Sequence, residues 1–278
     1  MLILDEIGVT EQEEGAEPMT MEEVEMMNYR SISIIGGCIY GSGYASAISV
    51  EGGKDTYIYN VSIKSAVLGI HIKKGPNELG ATWTNVDNVN ITGNDRRDCI
   101  GILVEGTYNT FSNMRIASIN FGVKCTETGS KNIFRNLHPL GVSMNASTTT
   151  AGFWDMSDGN VFDICYSDQF AVAFRMSEET KSIYNACFGY WYKGRTGNQY
   201  GFYADGDFNS IVRDTRVTLK AEYRSTVDLG YIVVKGDGGE GVVLFPRGIQ
   251  SYTENGQTFS VDAHQDDLNQ YLKTVVLN

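Results

Sequence analysis

The chain contains few of the residues that build disulfide frameworks and metal sites. Five cysteines and three histidines occur in 278 residues, and neither a C-x-x-C nor an H-E-x-x-H motif is present. An odd number of cysteines does not suggest a disulfide framework. Cys125 falls at an inward strand position, where we expect a buried thiol. Because His71, His138 and His264 are widely spaced, we expect no metal site and no cofactor.

The chain also lacks an excess of positive charge and any long apolar run. Its 22 basic and 34 acidic residues give a net charge of −12, which argues against nucleic acid as a partner because phosphates require a basic face. No segment approaches the length of apolar sequence that spans a membrane. The start, Met1 to Asp5, lacks the basic and apolar regions of a signal peptide. We therefore expect no membrane partner, and synthesis in a cytoplasm without export by the general pathway.

A six-residue pattern recurs through most of the chain: apolar, any, Asn, apolar, any, apolar. Clear copies run from Ile58, Val86 and Phe111. Looser copies bring the total to eight, and the steps between copies are 21 to 29 residues. A repeat of this length without helical periodicity is typical of a solenoid. The looser copies begin at Tyr29, Phe134, Phe162, Ile183 and Val212.

Within each copy the alternation of apolar and polar residues predicts a strand. The alternation changes phase at the third position, because Phe111 and Met114 are three residues apart and both are expected to face inward. A bend at Asn113 explains this, since Asn tolerates the left-handed backbone region. We predict that the Asn side chains at this position stack into a hydrogen-bonded ladder, with the members Asn60, Asn88, Asn113, Asn136 and Asn185.

Each repeat carries a second strand with the pattern small, apolar, any, apolar, as in Gly101 to Val104. The spacing from this strand to the next repeat is 9 to 11 residues in all but one case. The spacing from the first strand to the second varies from 12 to 19 residues. One corner of each coil is therefore expected to be fixed, and another to accept insertions.

Three short strands per turn, an Asn bend between two of them and variable loops before the third resemble the parallel β-helix of the pectin-lyase-like superfamily. The resemblance covers residues 29–234. It implies an all-β fold, a right-handed single-stranded parallel β-helix (solenoid) of about eight coils. The alternative solenoid, a leucine-rich repeat, needs a Leu and Asn spacing that is absent.

The two ends of the chain are expected to differ from the solenoid. Thr20 and Glu23 match a capping box, so residues 1–28 are predicted to be an N-terminal cap with a short helix. Residues 235–278 are predicted to form a C-terminal strand and tail with a possible role in oligomerisation. The tail ends in an apolar run, and the families resembled here place such ends in homotrimers.

One position of the second strand is expected to form a row on the outside of the solenoid, because stacked strands lie about 4.8 Å apart. From Lys124 to Tyr203 the row holds large functional side chains over about 15 Å at that spacing. Such a row favours ligand binding; the alternative is a solvated face. The predicted row is Ser49, His71, Leu103, Lys124, Trp154, Arg175, Tyr203 and Ile232.

Two insertions, at about 139–151 and 189–200, lie at the same corner of their coils. The coil between them has a short corner, so the two insertions are expected to form the walls of a cleft. Flat rings with polar rims suit sugars, and Arg and Asp suit hydroxyls and uronic carboxylates. The alternative is that the aromatic residues pack the loop against the solenoid. The predicted floor is Tyr166, Asp168, Gln169 and Arg175. The predicted polysaccharide-binding residues are Trp154, Lys124, Tyr203, Tyr190, Trp191, Tyr192 and Arg195.

The catalytic candidates are Asp168, Asp155 and Arg175. Glycoside hydrolysis needs two carboxylates about 5 to 10 Å apart. Asp155 occupies an inward position that other repeats fill with apolar residues, so a specific partner is expected; its segment also fits a simple turn. The motifs of polygalacturonases are absent, and the surroundings of Arg175 do not match those of calcium-dependent pectate lyases, so no catalytic residue is carried over.

The few cysteines, the start without a signal peptide and the apolar C-terminus resemble a phage tail spike or tail appendage. The resemblance implies a homotrimer in the virion that contacts other phage tail proteins and binds a host cell-surface polysaccharide, in many cases as a depolymerase. Two alternatives stay open. One is a bacterial polysaccharide lyase or glycoside hydrolase, cytoplasmic or non-classically secreted. The other is a structural β-helical spike without catalytic activity.

Overall fold

The computed structural model describes most of the repeat region and isolated parts of the two ends. The predicted N-terminal helix and the tail beyond residue 260 lie outside the described residues, so these two predictions are untested. No helix in the described part is long and apolar enough to cross a membrane. The described residues are 2–4, 32–41, 46–74, 81–94, 98–141, 150–178, 180–191, 199–219, 229–235, 239–244, 247–248, 251–254 and 257–260.

The second strands of the eight repeats, together with Leu2–Leu4, form one sheet of nine parallel strands, which we call face A. Their register brings the same repeat position into line on successive strands, as Ile70, Ile102 and Val123 show. The strands of face A, in stacking order, are β1 (Leu2–Leu4), β4 (Ser46–Glu51), β7 (Leu68–Lys73), β10 (Ile100–Val104), β12 (Phe121–Cys125), β14 (Ala151–Asp155), β17 (Val172–Met176), β20 (Gln199–Ala204) and β23 (Leu229–Val234).

The six-residue patterns form a second sheet of 16 strands with two faces, B before the bend and C after it. Two long strands, β11 (Thr110–Ile119) and β13 (Ile133–Gly141), pass through both faces. Face B also contains β2 (Ile32–Ile35), β5 (Thr56–Tyr59), β8 (Asn85–Asp87), β15 (Val161–Asp163), β18 (Ile183–Asn185), β21 (Ile211–Arg213) and β24 (Val242–Leu244). Face C also contains β3 (Cys38–Tyr40), β6 (Ser62–Ala66), β9 (Asn90–Gly93), β16 (Tyr166–Asp168), β19 (Phe188–Trp191), β22 (Arg216–Leu219) and β25 (Arg247–Gly248).

Each coil runs along face B, bends into face C, turns a corner and returns along face A. The strand pairs within each face are parallel, so the predicted parallel β-helix is confirmed. Face A has one strand more than the eight repeats, because Leu2–Leu4 pairs with β4. Strands β24 and β25 pair in parallel with β21 and β22, so the stacking continues past Val234. A separate antiparallel pair follows, β26 (Ser251–Glu254) with β27 (Gln257–Ser260).

The bend between faces B and C lies where the Asn pattern predicts it. Asn60, Asn88, Asn113 and Asn136 have φ angles of 58°, 52°, 53° and 53°. Asn88 donates to Asn60 at 3.2 Å, and Asn136 donates to Asn113 at 2.9 Å. Asn113 donates instead to the carboxylate of Asp87 at 2.8 Å. The predicted position at the bend is therefore confirmed for these four residues. The predicted hydrogen bonds are present in two of the three steps, and Asp87 replaces Asn88 as the acceptor in the third.

The prediction for Asn185 is wrong by one residue. The positive φ angle in its coil belongs to Ala186, at 49°, and Tyr184 lies opposite Phe162. The repeat therefore starts at Tyr184 rather than Ile183. An apolar residue at both positions made the two starts equivalent in the sequence pattern.

Aromatic rings stack on successive coils in part of the solenoid interior, beside a core of aliphatic residues. Rings on face B stack with centroids 4.8 to 5.0 Å apart, and rings on face A stack at 4.9 Å. All of these rings are fully buried, so their stacking contributes a large part of the apolar surface that the solenoid buries. The face B stack is Phe111, Phe134, Phe162 and Tyr184, and the face A stack is Phe153, Phe174 and Phe202.

A second, internal Asn ladder occupies the turn between faces A and B. The backbone N–H and side-chain amide of Asn109 both donate to Asn132 Oδ1, at 2.9 and 3.0 Å. The backbone N–H of Asn132 donates to Asn160 Oδ1 at 2.8 Å. All three residues are fully buried. The ladder satisfies the polar backbone of this turn, which explains why the corner that it occupies has nearly constant length.

Candidate functional site

The row of large side chains predicted on the outside of face A stands in register. Lys124 lies opposite Trp154, and Trp154 lies opposite Arg175. Tyr203 follows opposite Arg175. We call these four residues the cation–aromatic row. Its role in polysaccharide binding stays a prediction.

Within the row, Trp154 lies between two cations. The Lys124 ammonium and the Arg175 guanidinium are each 4.4 Å from its ring centroid. Arg175 also donates two hydrogen bonds to the carboxylate of Asp205, at 2.7 and 2.9 Å. Both faces of the indole are therefore occupied by the protein's own side chains, and Arg175 is already paired with a carboxylate.

The last member of the predicted row is displaced by one residue. Val233 lies opposite Tyr203, while Ile232 lies opposite the buried Phe202. A further cation, Lys235, has its ammonium 5.2 Å from the Tyr203 ring centroid. A hydrogen bond with Tyr203 raises the pKa of Lys235 from its ordinary value. The alternation of cations and rings therefore continues beyond the predicted row.

The predicted role of Trp191 as a ligand-binding residue is corrected by its position. Trp191 is fully buried, and its indole N–H donates to the backbone carbonyl of Phe170. A side chain within the core cannot contact a polysaccharide on the surface. Tyr192 and Arg195 belong to residues 192–198, which lie outside the described residues.

The prediction of Asp155 as a catalytic residue is corrected in the same way. Asp155 is fully buried inside the solenoid. Its carboxylate accepts hydrogen bonds from Asn160 at 2.9 Å, from Ser157 at 3.2 Å and from the Tyr184 hydroxyl at 3.3 Å. Burial raises the pKa of this carboxyl, and the hydrogen bonds oppose that shift. The expected specific partner exists, but it belongs to an internal structural network.

The predicted floor of the cleft is divided between two faces. Tyr166 and Asp168 lie on face C, whereas Arg175 lies on face A. Gln169 forms the corner between them, with a φ angle of 65° and almost no exposure. The residues before and after this corner therefore point away from one another, and the candidate site is built on face C.

An aromatic ladder on the outside of face C was not anticipated from the sequence. The His138 ring stacks on Tyr166 with centroids 4.1 Å apart, and Tyr166 stacks on Phe188 at 4.8 Å. The Arg216 guanidinium lies 5.5 Å from the Phe188 centroid. At the other end, Arg115 lies opposite His138. We call His138, Tyr166 and Phe188 the aromatic ladder; an arginine flanks it at each end.

A buried carboxylate lies beside this ladder. Asp168 is 8% exposed, and its Oδ1 atom is shielded from solvent without a hydrogen-bond partner. Its Oδ2 atom lies 3.8 Å from Nε2 of His138, which is also shielded and without a hydrogen-bond partner. Tyr190 lies opposite Asp168 on the next strand. A buried polar atom without a partner is uncommon, so two of them on neighbouring side chains, Asp168 Oδ1 and His138 Nε2, mark this place as a candidate site.

The environment also controls the protonation of Tyr166. Burial raises its pKa well above the ordinary value for a phenol, and the nearby Asp168 and Tyr190 raise it further. The phenol of Tyr166 is therefore protonated throughout the neutral range. It can donate a hydrogen bond to a ligand but cannot act as a base there.

The residues of the aromatic ladder share one position of the sequence repeat. The fifth position of the six-residue pattern is unconstrained, and reading it along the chain passes through Arg115, His138 and Tyr166. With the repeat started at Tyr184, the next members are Phe188 and Arg216. The start at Ile183 places Cys187 at the fifth position and hides the ladder.

Comparisons with known proteins add little beyond the fold. No protein-family model and no curated protein matches the chain. Among solved structures, the chain is similar to the catalytic domain of a GH87 alpha-1,3-glucanase in complex with tetrasaccharides, with 12% sequence identity and a TM-score of 0.45. The match covers 83% of this chain and 56% of that chain. A likeness this distant says nothing about activity, and the fold rests on the strand pairing.

Proposed function

We propose that the chain is a phage tail-spike-like protein that binds a host cell-surface polysaccharide along the aromatic ladder of face C. The observation that carries the proposal is the ladder beside a buried, incompletely paired carboxylate. In this proposal the protein is part of the virion and contacts other phage tail proteins.

The geometry of the ladder suits an extended polymer. From Arg115 to Arg216 the ladder crosses five successive coils, or about 19 Å at 4.8 Å per strand. Stacked rings present their edges outward, so a polymer along the solenoid meets apolar edges together with polar groups of His, Tyr and Arg. Such a mixture of apolar contact and placed polar groups is typical of sugar-binding sites.

The proposal of cleavage rests on Asp168. Hydrolysis by the usual route needs two carboxylates about 5 to 10 Å apart. Asp155 lies in the core, and Asp205 is paired with Arg175 on face A. Binding therefore has more support than depolymerisation, and Asp168 is the carboxylate on which the proposed depolymerase depends.

A glycan array with purified protein, followed by digestion of the retained polysaccharides, tests the proposal. We expect wild-type protein to retain at least one bacterial surface polysaccharide, and the double variant Tyr166→Ala/Phe188→Ala to lose it. The matched control is Tyr57→Ala/Tyr59→Ala, which removes two exposed tyrosines from face B. A wild-type protein that retains no polysaccharide contradicts the proposal.

Association with particles separates the proposed function from a bacterial polysaccharide lyase or glycoside hydrolase. A tail-spike-like protein is expected to sediment with phage particles, and antibodies against it should label the tail. A bacterial enzyme is expected to act as a soluble protein without particles.

A second candidate, a structural spike, is favoured by an aliphatic column on face B. Ile133 and Ile211 are 40% and 39% exposed, and the side chains between and beyond them are aliphatic. An exposed apolar column suits contact with a second copy of this chain, as in the proposed homotrimer. Its members on successive coils are Ile133, Val161, Ile183, Ile211 and Val242.

A further inference from the structure

His138 and Asp168 are arranged with the carboxylate behind the imidazole. The side chain of Asp168 is 11% exposed, whereas that of His138 is 39% exposed. The His138 Nε2 atom, turned toward Asp168, is shielded from solvent. Its Nδ1 atom makes no hydrogen bond with the described residues and is not shielded. The histidine therefore presents its other nitrogen to the outside.

Such an arrangement has a defined chemical consequence. A carboxylate behind a histidine holds the proton on the nitrogen that faces it, which leaves a lone pair on the other nitrogen. The separation of 3.8 Å is longer than a hydrogen bond. Hydrogen bonds of this kind are often long without a ligand and shorten when one binds. His138 Nε2 then gains a partner in Asp168 Oδ2, while Asp168 Oδ1 still has capacity to accept a hydrogen bond.

We propose that His138 is the group that meets the glycan and that Asp168 is its positioning residue. The inference rests on the proposed function and reverses the sequence-based assignment, in which Asp168 acts directly. A sugar hydroxyl can donate a hydrogen bond to Nδ1. In cleavage, a water at Nδ1 passes a proton to the ring while its oxygen forms a bond to the anomeric carbon, the glycosidic C–O bond breaks, and the leaving oxygen takes up a proton from solvent.

Tyr166 completes the arrangement from the other side. Its ring stacks on His138 at 4.1 Å with an interplanar angle of 22°. A ring stacked this closely opposes rotation of the imidazole, so Nε2 stays turned toward Asp168. Because the phenol of Tyr166 is protonated, it does not compete with His138 for a proton.

Nitrogen NMR of the full chain tests the pairing without any ligand. The chain has only three histidines, so His138→Gln assigns the signal of His138. We expect neutral His138 to carry its proton on Nε2, and this proton to exchange slowly with water. Asp168→Asn should speed that exchange, while the signal of His71, which lies 3.3 Å from Glu105 on face A, stays unchanged. A proton on Nδ1, or an Nε2 proton whose exchange rate with water is unchanged in Asp168→Asn, overturns the pairing.

Titration with a polysaccharide retained on the array tests which residue meets the ligand. We expect His138→Gln and Asp168→Asn each to reduce cleavage at least tenfold, or binding where no cleavage occurs. The double variant should be no worse than His138→Gln, because groups that act as a unit are not additive. His71→Gln is the matched control and should leave both measurements unchanged.

The outcomes separate this inference from the proposed function. Loss of activity in Asp168→Asn with full activity in His138→Gln means that Asp168 acts directly, which overturns the inference and leaves glycan binding intact. A wild-type protein that retains no polysaccharide overturns both the proposed function and the ligand-facing role. Thermal melting verifies the fold of each variant, and His138→Asn replaces any His138→Gln protein that melts early.

Discussion

At the scale of single residues, the two faces of the solenoid use aromatic side chains differently. On face A, Trp154 has a cation on each side of its ring, and one of those cations is itself paired with Asp205. On face C, the rings stack on one another and leave a buried carboxylate without a complete set of partners. In the first arrangement the charges of Arg175 and Asp205 are paired, although the indole N–H of Trp154 lacks a hydrogen-bond partner. In the second arrangement a carboxylate oxygen and an imidazole nitrogen lack partners.

This difference predicts distinct effects of replacing each aromatic residue. Trp154→Ala should destabilise the fold by about 1 to 3 kcal/mol, since it removes two cation–π contacts and a partly buried ring. Phe188→Ala should instead weaken glycan binding by about 1 to 3 kcal/mol as part of a binding hot spot. Urea unfolding and binding titrations measure the two effects. If Trp154→Ala weakens binding by a similar amount, the cation–aromatic row also binds the glycan.

Asp155 is a residue-scale case in which burial and pH are coupled. Burial raises the folded-state pKa above the unfolded value of about 3.9. The folded state therefore binds this proton more tightly than the unfolded state does. The resulting stability is fully present below about pH 4 and is lost as the pH rises through the folded pKa.

The prediction concerns the difference between wild type and Asp155→Asn. The melting temperature of wild type relative to the variant should fall as the pH rises from about 4 toward neutrality, because the amide does not ionise. Thermal melts at several pH values measure this difference, and unrelated carboxylates cancel in it. A difference that grows with rising pH would show that the hydrogen bonds from Asn160, Ser157 and Tyr184 outweigh burial.

At the scale of elements, two Asn ladders hold the two kinds of turn. The outer ladder lies at the bend between faces B and C, is exposed, and contributes a backbone conformation that Asn tolerates. The inner ladder lies between faces A and B, is fully buried, and satisfies backbone groups that no strand pairs with. The same residue type therefore has a conformational role in one turn and a hydrogen-bonding role in the other.

A pair of substitutions separates these roles. Asn132→Ala should destabilise the fold by about 2 to 5 kcal/mol, because it removes the partner of the buried N–H of Asn109 and of the carbonyl of Gly106. Asn136→Gly should change stability by less than about 1 kcal/mol, because glycine accepts a φ angle of 53° and the site is exposed. Urea unfolding measures both changes, and equal losses would refute the distinction.

At the scale of the whole molecule, the outer surface has three different characters. Face A carries paired charges around aromatic rings, face B carries the aliphatic column, and face C carries the aromatic ladder. A homotrimer formed through face B would leave faces A and C exposed. The proposed glycan site and the proposed contact between copies are therefore compatible.

The proposed trimer predicts a response to charge on the aliphatic column. Ile211→Lys should convert the trimer to a monomer at micromolar concentration, because the contact would bury an unpaired ammonium. Ile164→Lys is the matched control, since this exposed residue lies at the bend rather than in the column. Light scattering gives the molar mass of each protein. A monomeric wild type at micromolar concentration contradicts the trimer.

The sequence by itself determined the repeat, the strand order within it and the bend. These features depend on the local alternation of apolar and polar residues and on the ability of Asn to adopt the left-handed backbone conformation. Both can be recognised in a single sequence. Stacking then follows for the clear copies, so the row from Lys124 to Tyr203 was found in its true register. The register failed at Ile183, where two adjacent apolar residues fit the pattern equally well. It also failed in the first copy, where Ile34 rather than Tyr29 lies in register with Ile58, and at Ile232, whose predicted place is taken by Val233.

Only the tertiary structure decided which polar residues lie at the surface beside the aromatic ladder. Asp155 and Trp191 look like site residues in the sequence, yet both side chains lie in the core. There Asp155 accepts a hydrogen bond from Asn160, and Trp191 donates one to the carbonyl of Phe170. His138 and Asp168 are 30 residues apart in sequence and meet because adjacent coils stack. Their order, with the carboxylate behind the imidazole, depends on burial across coils, and no local pattern of one repeat contains that information.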